Sequence, residues 1–374
     1  MKTMKAAIYY GPGDIQYEDV PYPRCTADGV VLKMGACGVC NVMDVDAWFK
    51  WSTGGQGVGL ARGHEWSGEI VEVGSKVKGF KVGDKIFQNP VFKPCFNCNY
   101  CFEEDYWRCI NWRQGMAHRA IHGGFAEYLS IPFITHESAA ILPASLDWHD
   151  LAMIEPVYLG VGLAKKAKEG ETALIIGQEL MGLSITAVMK ERGVKVITTD
   201  ISKKHLKASE EVGADVVIDT LTEDVPQRVM QETKGHGADV AIVVDTKPMA
   251  FFQAMSSIRR SGRIWLAAYY YSPFKVRPEV GPTAGNMTSW IGPGLGYTEP
   301  TIGFDPNFAH VQIAWGTLGE RVPRWHEAAK LIQSGKISAK KHVTSVFPLE
   351  KTAEAFTLTA ENHDEIKVMV EMQK

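Results

Sequence analysis

The sequence lacks the features that mark several classes of protein. No stretch reaches the roughly 20 consecutive apolar residues of a membrane-spanning helix, and the first residues have no apolar core of signal-peptide length. The 40 lysine and arginine residues nearly balance 43 aspartate and glutamate residues, so no excess charge points to a nucleic acid or an anionic membrane. There is no internal repeat and no low-complexity tail. We therefore expect a cytoplasmic globular protein with no membrane or nucleic-acid partner.

Cysteine is absent after residue 109, and this absence divides the chain. A chain of 374 residues is long enough to bury a sizeable core without disulfides, and disulfides rarely persist in a reducing cytosol. Clustered cysteines in such a protein therefore indicate metal binding. At roughly 150 residues per domain, the length predicts two domains, with the cysteine chemistry in one of them. The seven cysteines are Cys25, Cys37, Cys40, Cys95, Cys98, Cys101 and Cys109.

The hydrophobic periodicity changes near residue 155. Up to about residue 135, short β-like runs alternate with Gly and Pro, which is typical of a small barrel-like all-β region. From Glu155 onward, apolar strands alternate with amphipathic helices, which predicts an α/β fold with a doubly wound parallel sheet. Residues 272–305, rich in Gly, Pro and aromatic residues, interrupt this series, and so long a segment is functional or flexible. The predicted strands are 173–176, 194–198, 216–219, 240–244, 263–267 and 310–315, and the predicted helices are 182–192, 203–212, 225–233, 249–259 and 323–334.

Four cysteines form a compact cluster on a loop that contains Pro94, Asn97 and Asn99. The spacing Cys-x2-Cys-x2-Cys-x7-Cys places four thiols within fifteen residues. Four thiolates fill the tetrahedral shell of a zinc ion and leave no open position, so this site is predicted to be structural. An iron–sulfur cluster is one alternative, but its usual last interval differs; unligated packing is another. The predicted ligands are Cys95, Cys98, Cys101 and Cys109.

A second candidate metal site combines different residue types. Its members lie in Gly-Val-Cys, Gly-His-Glu and Glu-Pro sequences and are Cys40, His64, Glu65 and Glu155. A cysteine, a histidine and a carboxylate from separate segments suit zinc with one position left open, which is the arrangement of catalytic zinc sites. Two alternatives remain: a lone histidine is usually structural, and Cys37 with Cys40 has thioredoxin-like spacing, although no βαβ pattern follows it.

The turn after the strand predicted at 173–176 is a dinucleotide-binding fingerprint. Gly177 and Gly182 flank a turn that opens a helix, and the next strand ends at Asp200. Such a turn holds a pyrophosphate at the helix N-terminus, and the acid binds the ribose hydroxyls. Asp200 favours NAD because it repels a 2′-phosphate. The middle fingerprint position, usually glycine, is Glu179, which predicts weaker or differently posed NAD unless its side chain turns outward.

Six motifs occur in one order along the chain: Gly35–Cys40, Gly63–Gly68, Val82–Asp84, the four-cysteine cluster, Gly123–Tyr128 and Glu155–Pro156. This order resembles the zinc-dependent medium-chain alcohol dehydrogenases, most closely their sorbitol, polyol and threonine dehydrogenase branch. The resemblance implies a GroES-like catalytic domain formed by residues 1–156 and 315–374. It also implies a Rossmann domain formed by residues 157–314, with an insertion at about 272–305.

The resemblance also implies roles for individual residues. Cys40, rather than Cys37, takes the place of the catalytic zinc thiolate, and His64 takes that of the imidazole ligand. Glu65 and Glu155 match two carboxylates that serve as alternative ligands, or as a ligand and its exchange partner. The residues implied to border NAD are Leu180, His205, Ala267, Ala268, Tyr269, Ala314 and Trp315. Two zinc ions per chain, one NAD and a homodimer or homotetramer complete these implications.

The loop after Cys40 departs from many relatives of this family. Val42 stands where they carry a Ser or Thr that starts a proton relay, and valine cannot carry a proton. Asp44, Asp46 or water exchanging through Glu65 are possible substitutes, or these acids are hydrated loop residues. Aromatic residues near this loop predict either a bulky or ring-shaped substrate or ordinary packing. They are Trp48, Phe49, Trp51, Trp107 and Trp112.

The leading prediction is a zinc-dependent oxidoreductase. It transfers a hydride between NAD and a small alcohol or ketone, the alcohol being a polyol, cyclitol or other cyclic secondary alcohol. Val42 and Glu179 keep two alternatives open. One is an enzyme that retains NAD for a transient oxidation, as an epimerase or an elimination requires, and the other is a non-catalytic family member.

Overall fold

The structure is a computed structural model that describes most of the chain. The described residues are 2–49, 58–88, 97–103, 123–134, 139–267, 274–276, 289–291, 312–315 and 325–372. They form two compact units, the first from residues 1–158 and 320–374 and the second from residues 159–319. Within these ranges, no helix is both long and apolar enough to cross a membrane. Predictions that fall outside the described residues are those for Cys95, Cys109, Ala268, Tyr269, Trp51, Trp107, Trp112 and most of 272–305.

The N-terminal part of the first unit is rich in strands. Its elements are β1 (Thr3–Gly11), β2 (Asp14–Pro21), β3 (Val30–Gly38), α1 (Met43–Phe49), β4 (Leu60–Ala61), β5 (Glu65–Val73), β6 (Lys85–Gln88), α2 (Asn99–Phe102), β7 (Tyr128–Ile131), β8 (Ala139–Ile141) and α3 (Trp148–Ala152), followed by α4 (Ile154–Ala164). Strand β3 is buried at all positions except Lys33, which explains its nearly continuous apolar sequence.

The second unit alternates strands and helices, as the periodicity predicts. Its elements are β9 (Thr172–Ile176), α5 (Leu180–Glu191), β10 (Lys195–Asp200), α6 (Lys203–Glu211), β11 (Val216–Asp219), α7 (Val225–Glu232), β12 (Ala238–Val243), α8 (Pro248–Ser257), β13 (Ile258–Leu266), β14 (Phe274–Val276), β15 (Ser289–Ile291) and β16 (Gln312–Trp315). Helix α5 begins two residues before its predicted start because Glu179, with extended backbone, is the N-cap residue.

The C-terminal residues return to the first unit. They form α9 (Trp325–Gln333), α10 (Ala339–His342), β17 (Ser345–Pro348), a short 3-10 helix (Leu349–Lys351), α11 (Thr352–Glu361) and β18 (Val368–Glu371). The seven-stranded sheet of this unit has the order β17-β18-β3-β5-β6-β8, with β7 also paired to β3. A three-stranded sheet, β2-β1-β4, completes the β-rich part.

The six-stranded sheet of the second unit is parallel and has the order β11-β10-β9-β12-β13-β16. Taken in chain order this is 3-2-1-4-5-6, the order of a doubly wound dinucleotide-binding sheet. Alternate residues of β9 enter different cores: Leu174 and Ile176 pack with α7 and α8, whereas Ala173 and Ile175 pack with α4 and α5. Both faces are therefore covered, and the predicted fold class is confirmed.

Candidate metal centre and cofactor site

Three strand ends meet where the candidate metal ligands lie. Strand β3 is antiparallel to both β5 and β18, and the register places Gly38 opposite Glu65 and Met369. The end of β3 therefore lies beside the beginnings of β5 and β18. Cys40 follows β3 by two residues, and His64 immediately precedes β5. Residues far apart in the sequence reach one end of the sheet through this strand order.

The structure brings Cys40, His64 and Glu65 together. One ligand atom from each residue lies within 4.8 Å of the other two. The Nδ1 atom of His64 is buried and has no hydrogen-bond partner among the described residues. A thiol, an imidazole and a carboxylate are the donor types that zinc prefers at a site with an open position. A buried imidazole that has a nitrogen without a partner and that is grouped with a thiol and a carboxylate fits a metal ligand.

Glu65 is held by a buried lysine from the last strand region. Lys367 Nζ donates to Glu65 Oε2 at 2.6 Å and to the carbonyl oxygen of Val39 at 3.0 Å. The two charged side chains are only 4% and 3% exposed. Gly38 makes room for this pair, because a Cβ atom there would lie 2.5 Å from Glu65 Oε2 and 3.3 Å from Lys367 Cδ. The ion pair fixes the orientation of the Glu65 carboxylate at this end of the sheet.

Glu155, the fourth predicted ligand, is also buried, but it is not among the three residues whose ligand atoms cluster within 4.8 Å. Burial raises the pKa of Glu155 to about 7; the charge of His64 opposes this shift, and that of Glu65 adds to it. Glu155 lies in the first turn of α4. Its place beside the cluster is compatible with an exchange partner, and its role as a ligand stays a prediction.

The charges around the centre favour a divalent cation. Burial, together with the charges of Glu65 and Asp44, raises the pKa of the Cys40 thiol well above its ordinary value. Besides His64, which would ligate zinc as the neutral imidazole, six ionisable side chains in or beside the centre are Cys40, Glu65, Glu155, Asp44, Arg62 and Lys367. When all are ionised, four negative charges face two positive ones. The excess equals the charge of Zn²⁺, so a bound zinc ion makes the buried cluster neutral.

The loop that carries Cys40 is held by its own neighbours. Asp44 Oδ2 accepts a hydrogen bond from the Cys40 backbone N–H at 3.0 Å, and the Met43 N–H donates to Cys40 Sγ at 3.3 Å. The Asp44 side chain is fully buried and pairs with Arg62. The alternative that Asp44 is a hydrated loop acid is therefore wrong. Because both of its oxygens are already held, a role in proton transfer has no support in this geometry.

The other cysteines separate clearly. Cys37 is completely buried in the hydrophobic core of the first unit, and Cys25 is half-buried in a loop. Cys98 and Cys101 are both buried, with their Sγ atoms 3.5 Å apart. That separation far exceeds the about 2.05 Å of a disulfide bond and is close to the about 3.8 Å expected between two thiolates on one tetrahedral zinc ion. The structural zinc site itself stays a prediction.

In the second unit, the fingerprint turn lies at the start of α5. Gly177 has a φ of +94°, and a Cβ atom at Gly182 would collide with the Gly177 carbonyl oxygen. Gly182 therefore allows the helix to begin close to the turn. Leu180 is buried. Glu179 is half-buried, and its φ of −71° is accessible to any residue, so the backbone does not require the glycine that is missing here.

Asp200 and His205 form a buried pair at the end of β10. Asp200 accepts hydrogen bonds from the backbone N–H groups of Gln178 at 2.7 Å and Ser202 at 2.8 Å, and His205 Nδ1 lies 3.3 Å from Asp200 Oδ2. Burial by itself raises the pKa of Asp200, but the His205 contact and the two N–H donors outweigh it and hold this pKa below its ordinary value. Ala267 is buried at the end of β13, where its N–H donates to the Val243 carbonyl oxygen.

The sequence predictions for the loop after Cys40 concern the start of a proton relay at Val42 and the role of the nearby aromatic residues. Val42 is half-buried, as are Met43 and Asp46. Trp48 packs against Phe356 at a ring-centroid distance of 5.8 Å, beside the hydrophobic core of the first unit, as the packing alternative expects. Phe49 is 61% exposed.

Sequence reasoning missed two residues beside the metal centre. Lys367 lies 302 residues from Glu65, and its sequence context is an ordinary β-strand start. Arg62 precedes the Gly-His-Glu sequence, where an arginine reads as a surface residue. The signal that could have led to this pair is an arginine immediately before that sequence together with an acid shortly after Cys40.

Two protein-family models match the chain. An alcohol dehydrogenase GroES-like domain matches residues 26–139, and a zinc-binding dehydrogenase domain matches residues 181–289. D-arabitol-phosphate dehydrogenase of Enterococcus avium is 30% identical over 99% of this chain and 98% of that protein. Sorbitol dehydrogenase of Bacillus subtilis is 28% identical over 99% of this chain and 97% of that protein.

Solved structures have the same fold. The 2R,3R-butanediol dehydrogenase of Bacillus subtilis superposes with a TM-score of 0.77 at 23% identity, covering 99% of this chain and 100% of that one. Galactitol-1-phosphate dehydrogenase of Escherichia coli gives a TM-score of 0.76 at 21% identity, covering 98% and 100%. The two family models and the relatives agree: the chain belongs to the zinc-dependent medium-chain alcohol dehydrogenase family. It is therefore an alcohol dehydrogenase that uses zinc and a nicotinamide cofactor.

Proposed function

We propose that this enzyme oxidises a secondary hydroxyl group of a polyol, with NAD as the hydride acceptor. The observation that carries the proposal is the cluster of Cys40, His64 and Glu65, whose ligand atoms lie within 4.8 Å of one another. These three residues would hold the catalytic zinc, and Glu155 would serve as an alternative fourth donor. Cys95, Cys98, Cys101 and Cys109 would hold the structural zinc.

The residues of this chain prepare the site for hydride transfer. When bound, zinc supplies a Lewis acid that lowers the pKa of an alcohol, and NAD supplies the hydride acceptor. Lys367 fixes the Glu65 carboxylate through a 2.6 Å hydrogen bond, and Asp44 fixes the backbone of Cys40. Burial of these groups excludes water and strengthens each electrostatic contact in the site.

Asp200 supports NAD over NADP. Its lowered pKa keeps the carboxylate charged at neutral pH, and its side chain is 8% exposed at the end of β10. A carboxylate in that position accepts hydrogen bonds from ribose hydroxyls and repels a 2′-phosphate. We place the adenosine ribose beside this carboxylate and the pyrophosphate at the start of α5.

The relatives support a polyol substrate. One is named for a polyol phosphate and another for sorbitol, and each is similar to this chain over nearly its full length. A polyol offers a secondary hydroxyl for oxidation, with neighbouring hydroxyls for orientation. Assembly into a homodimer or homotetramer stays a prediction.

Metal analysis followed by a cofactor assay tests the proposal. We expect two zinc ions per chain in the purified protein and one in a Cys40→Ser variant. We also expect NADH release with one or more members of a panel of polyols, polyol phosphates and cyclic alcohols. Zinc at one ion per chain in the unmodified protein contradicts the proposal. NADH that stays bound to the protein, with no net release, would instead support a transient oxidation.

A further inference from the structure

Arg62 and Asp44 form a buried ion pair that no step of the proposed reaction uses. Arg62 Nε donates to Asp44 Oδ1 at 3.2 Å, and Arg62 Nη2 donates to the Met43 carbonyl oxygen at 3.1 Å. The arginine side chain is 3% exposed and the aspartate side chain 0%. Removing two such charges from water has a large cost, so the pair must be stabilised by these specific contacts.

Arg62 belongs to the segment that carries His64. It follows β4, which pairs with β1 through Ala61 and Ile8. The Arg62 carbonyl oxygen accepts a hydrogen bond from the Phe125 N–H at 3.0 Å, which fixes its backbone. The guanidinium group therefore extends from a well-held backbone only two residues before a predicted metal ligand.

Asp44 and Met43 belong to the segment that carries Cys40. Asp44 Oδ2 accepts from the Cys40 N–H, and the Met43 N–H donates to Cys40 Sγ. Both residues bonded by Arg62 are thus bonded to Cys40. The described β3–β5 pairing ends at Gly38 and Glu65, so ladder hydrogen bonds do not extend to Cys40.

Tyr9 adds a third support. The Arg62 Cζ atom lies 5.0 Å from the centre of the Tyr9 ring, and the Tyr9 hydroxyl donates to the Ala47 carbonyl oxygen at 2.8 Å. Ala47 is in α1, which follows the Cys40 loop. The strand β1 is therefore tied both to the guanidinium group and to the helix beyond Cys40.

We propose that the Arg62–Asp44 pair is a clamp that positions Cys40 relative to His64, an inference that rests on the proposed function. Both are positioning residues, because Arg62 bonds to Asp44 and Met43 and these in turn bond to Cys40, so that they act through the ligand. A tetrahedral site needs its ligand atoms at fixed separations, and residues that hold ligands typically change metal affinity by about 10- to 100-fold when replaced.

Two variants, one single and one double, test the clamp without changing the net charge of the site. Arg62→Lys keeps the positive charge but removes the fork that reaches both Asp44 and Met43. The double variant Asp44→Asn with Arg62→Met removes both charges together. The matched control is Arg263→Lys, which alters a partly buried ion pair with Glu171 in the second unit. If the Arg62 variants bind the metal more weakly and the Arg263 variant does not, the effect depends on the position of the ion pair beside Cys40 and not on the loss of an ion pair in general.

The readout is Co²⁺ bound in place of zinc, measured by competition with a chelator and by its visible absorption bands. The Cys40→Ser protein supplies the spectrum of the remaining site, which is subtracted. We expect each Arg62 variant to bind Co²⁺ at the Cys40 site about 10- to 100-fold more weakly and to shift its bands. We expect the Arg263→Lys protein to match the unmodified protein in both measurements.

Unchanged cobalt affinity and bands in the folded Arg62→Lys protein overturn the clamp, whatever its unfolding midpoint. If the double variant does not fold, the Arg62→Lys result decides alone, because lysine keeps the charge and most of the volume. A cobalt spectrum of the unmodified protein that does not depend on Cys40 refutes the proposed function instead. The two proposals therefore fail by different measurements.

Discussion

Replacing Lys367 with methionine tests the buried ion pair beside the metal centre. Methionine retains an unbranched apolar side chain but removes the ammonium group that contacts Glu65 at 2.6 Å and Val39 at 3.0 Å. Glu65 is then left as a buried carboxylate without its cation. Removing one partner of such a pair typically costs about 3–5 kcal/mol. We expect a loss of that size in the free energy of unfolding of the metal-free protein.

The matched control is Lys351→Met, the same substitution in the same unit. Lys351 pairs with Glu354, and their side chains are 52% and 59% exposed. Solvent screens such a pair, so its loss costs less than about 1 kcal/mol. The contrast between the two variants isolates burial, because charge and side-chain type change identically.

Zinc gives the Lys367→Met experiment a second arm. A zinc ion ligated by Glu65 replaces the missing cation, so we expect the loss of stability to be smaller in the zinc-loaded protein. Urea unfolding followed by tryptophan fluorescence, with and without a chelator, measures both arms. The reasoning is refuted if, in the metal-free protein, Lys367→Met lowers the free energy of unfolding no more than Lys351→Met does. The contribution of the ion pair to stability would then not depend on its burial.

Three further predictions follow from the two candidate sites. Cys40→Ser removes one zinc per chain and abolishes NAD reduction, whereas Cys37→Ala lowers stability but keeps both zinc ions. Equal zinc contents in the two variants contradict the assignment of Cys40, and not Cys37, as the zinc ligand. Asp200→Asn weakens NAD binding by about 1.5–3 kcal/mol, or about 10- to 150-fold, while Asp215→Asn does not, as NAD titration measures. The pKa of Asp200 is lower in the folded protein than in the unfolded chain, so its charged form stabilises the fold above about pH 4. This contribution is lost as the pH falls through the lowered pKa. The difference in free energy of unfolding between the unmodified protein and Asp200→Asn must therefore shrink in acid. Gly182→Ala places a Cβ atom against the carbonyl oxygen of the glycine turn, so we expect a loss of about 1–3 kcal/mol in unfolding free energy and weaker NAD binding; an unchanged dissociation constant for NAD argues against the tight start of α5.

Local sequence patterns predicted the second unit well. The strand predicted at 216–219 is β11 with the same bounds, and the helix predicted at 225–233 ends one residue earlier as α7. These elements are marked by local signals: Asp224 caps α7 through the Gln227 N–H, and Ser202 caps α6 through the His205 N–H. Apolar periodicity and capping act within a few residues, so they can be recognised without knowledge of the rest of the chain.

The candidate site was only partly predictable. Residue types and motif order led to Cys40, His64 and Glu65, because thiol, imidazole and carboxylate are the donors that zinc requires. The contacts that hold them did not follow from the motifs. Asp44 was expected to be either a relay or a hydrated acid, and the structure buries it against Arg62. The local sequence around an acidic loop residue is the same whether it relays protons, is hydrated or pairs with a buried arginine. Residues elsewhere in the chain set its environment.

The sequence by itself therefore determined the fold class and the family, and it supplied the candidate residues of a metal site in the first part of the chain and of a cofactor site in the second. Only the tertiary structure decided which buried charges stand beside the ligands. Strand β3 lies between β5 and β18, and this order brings Lys367 to Glu65 across 302 positions of sequence. Burial and pairing of charges are properties of the packed chain, whereas ligand chemistry is a property of the residues themselves. For this reason Cys40 could be proposed as a ligand from its motif, whereas the contacts of Lys367 and Arg62 could be found only from their positions in the folded chain.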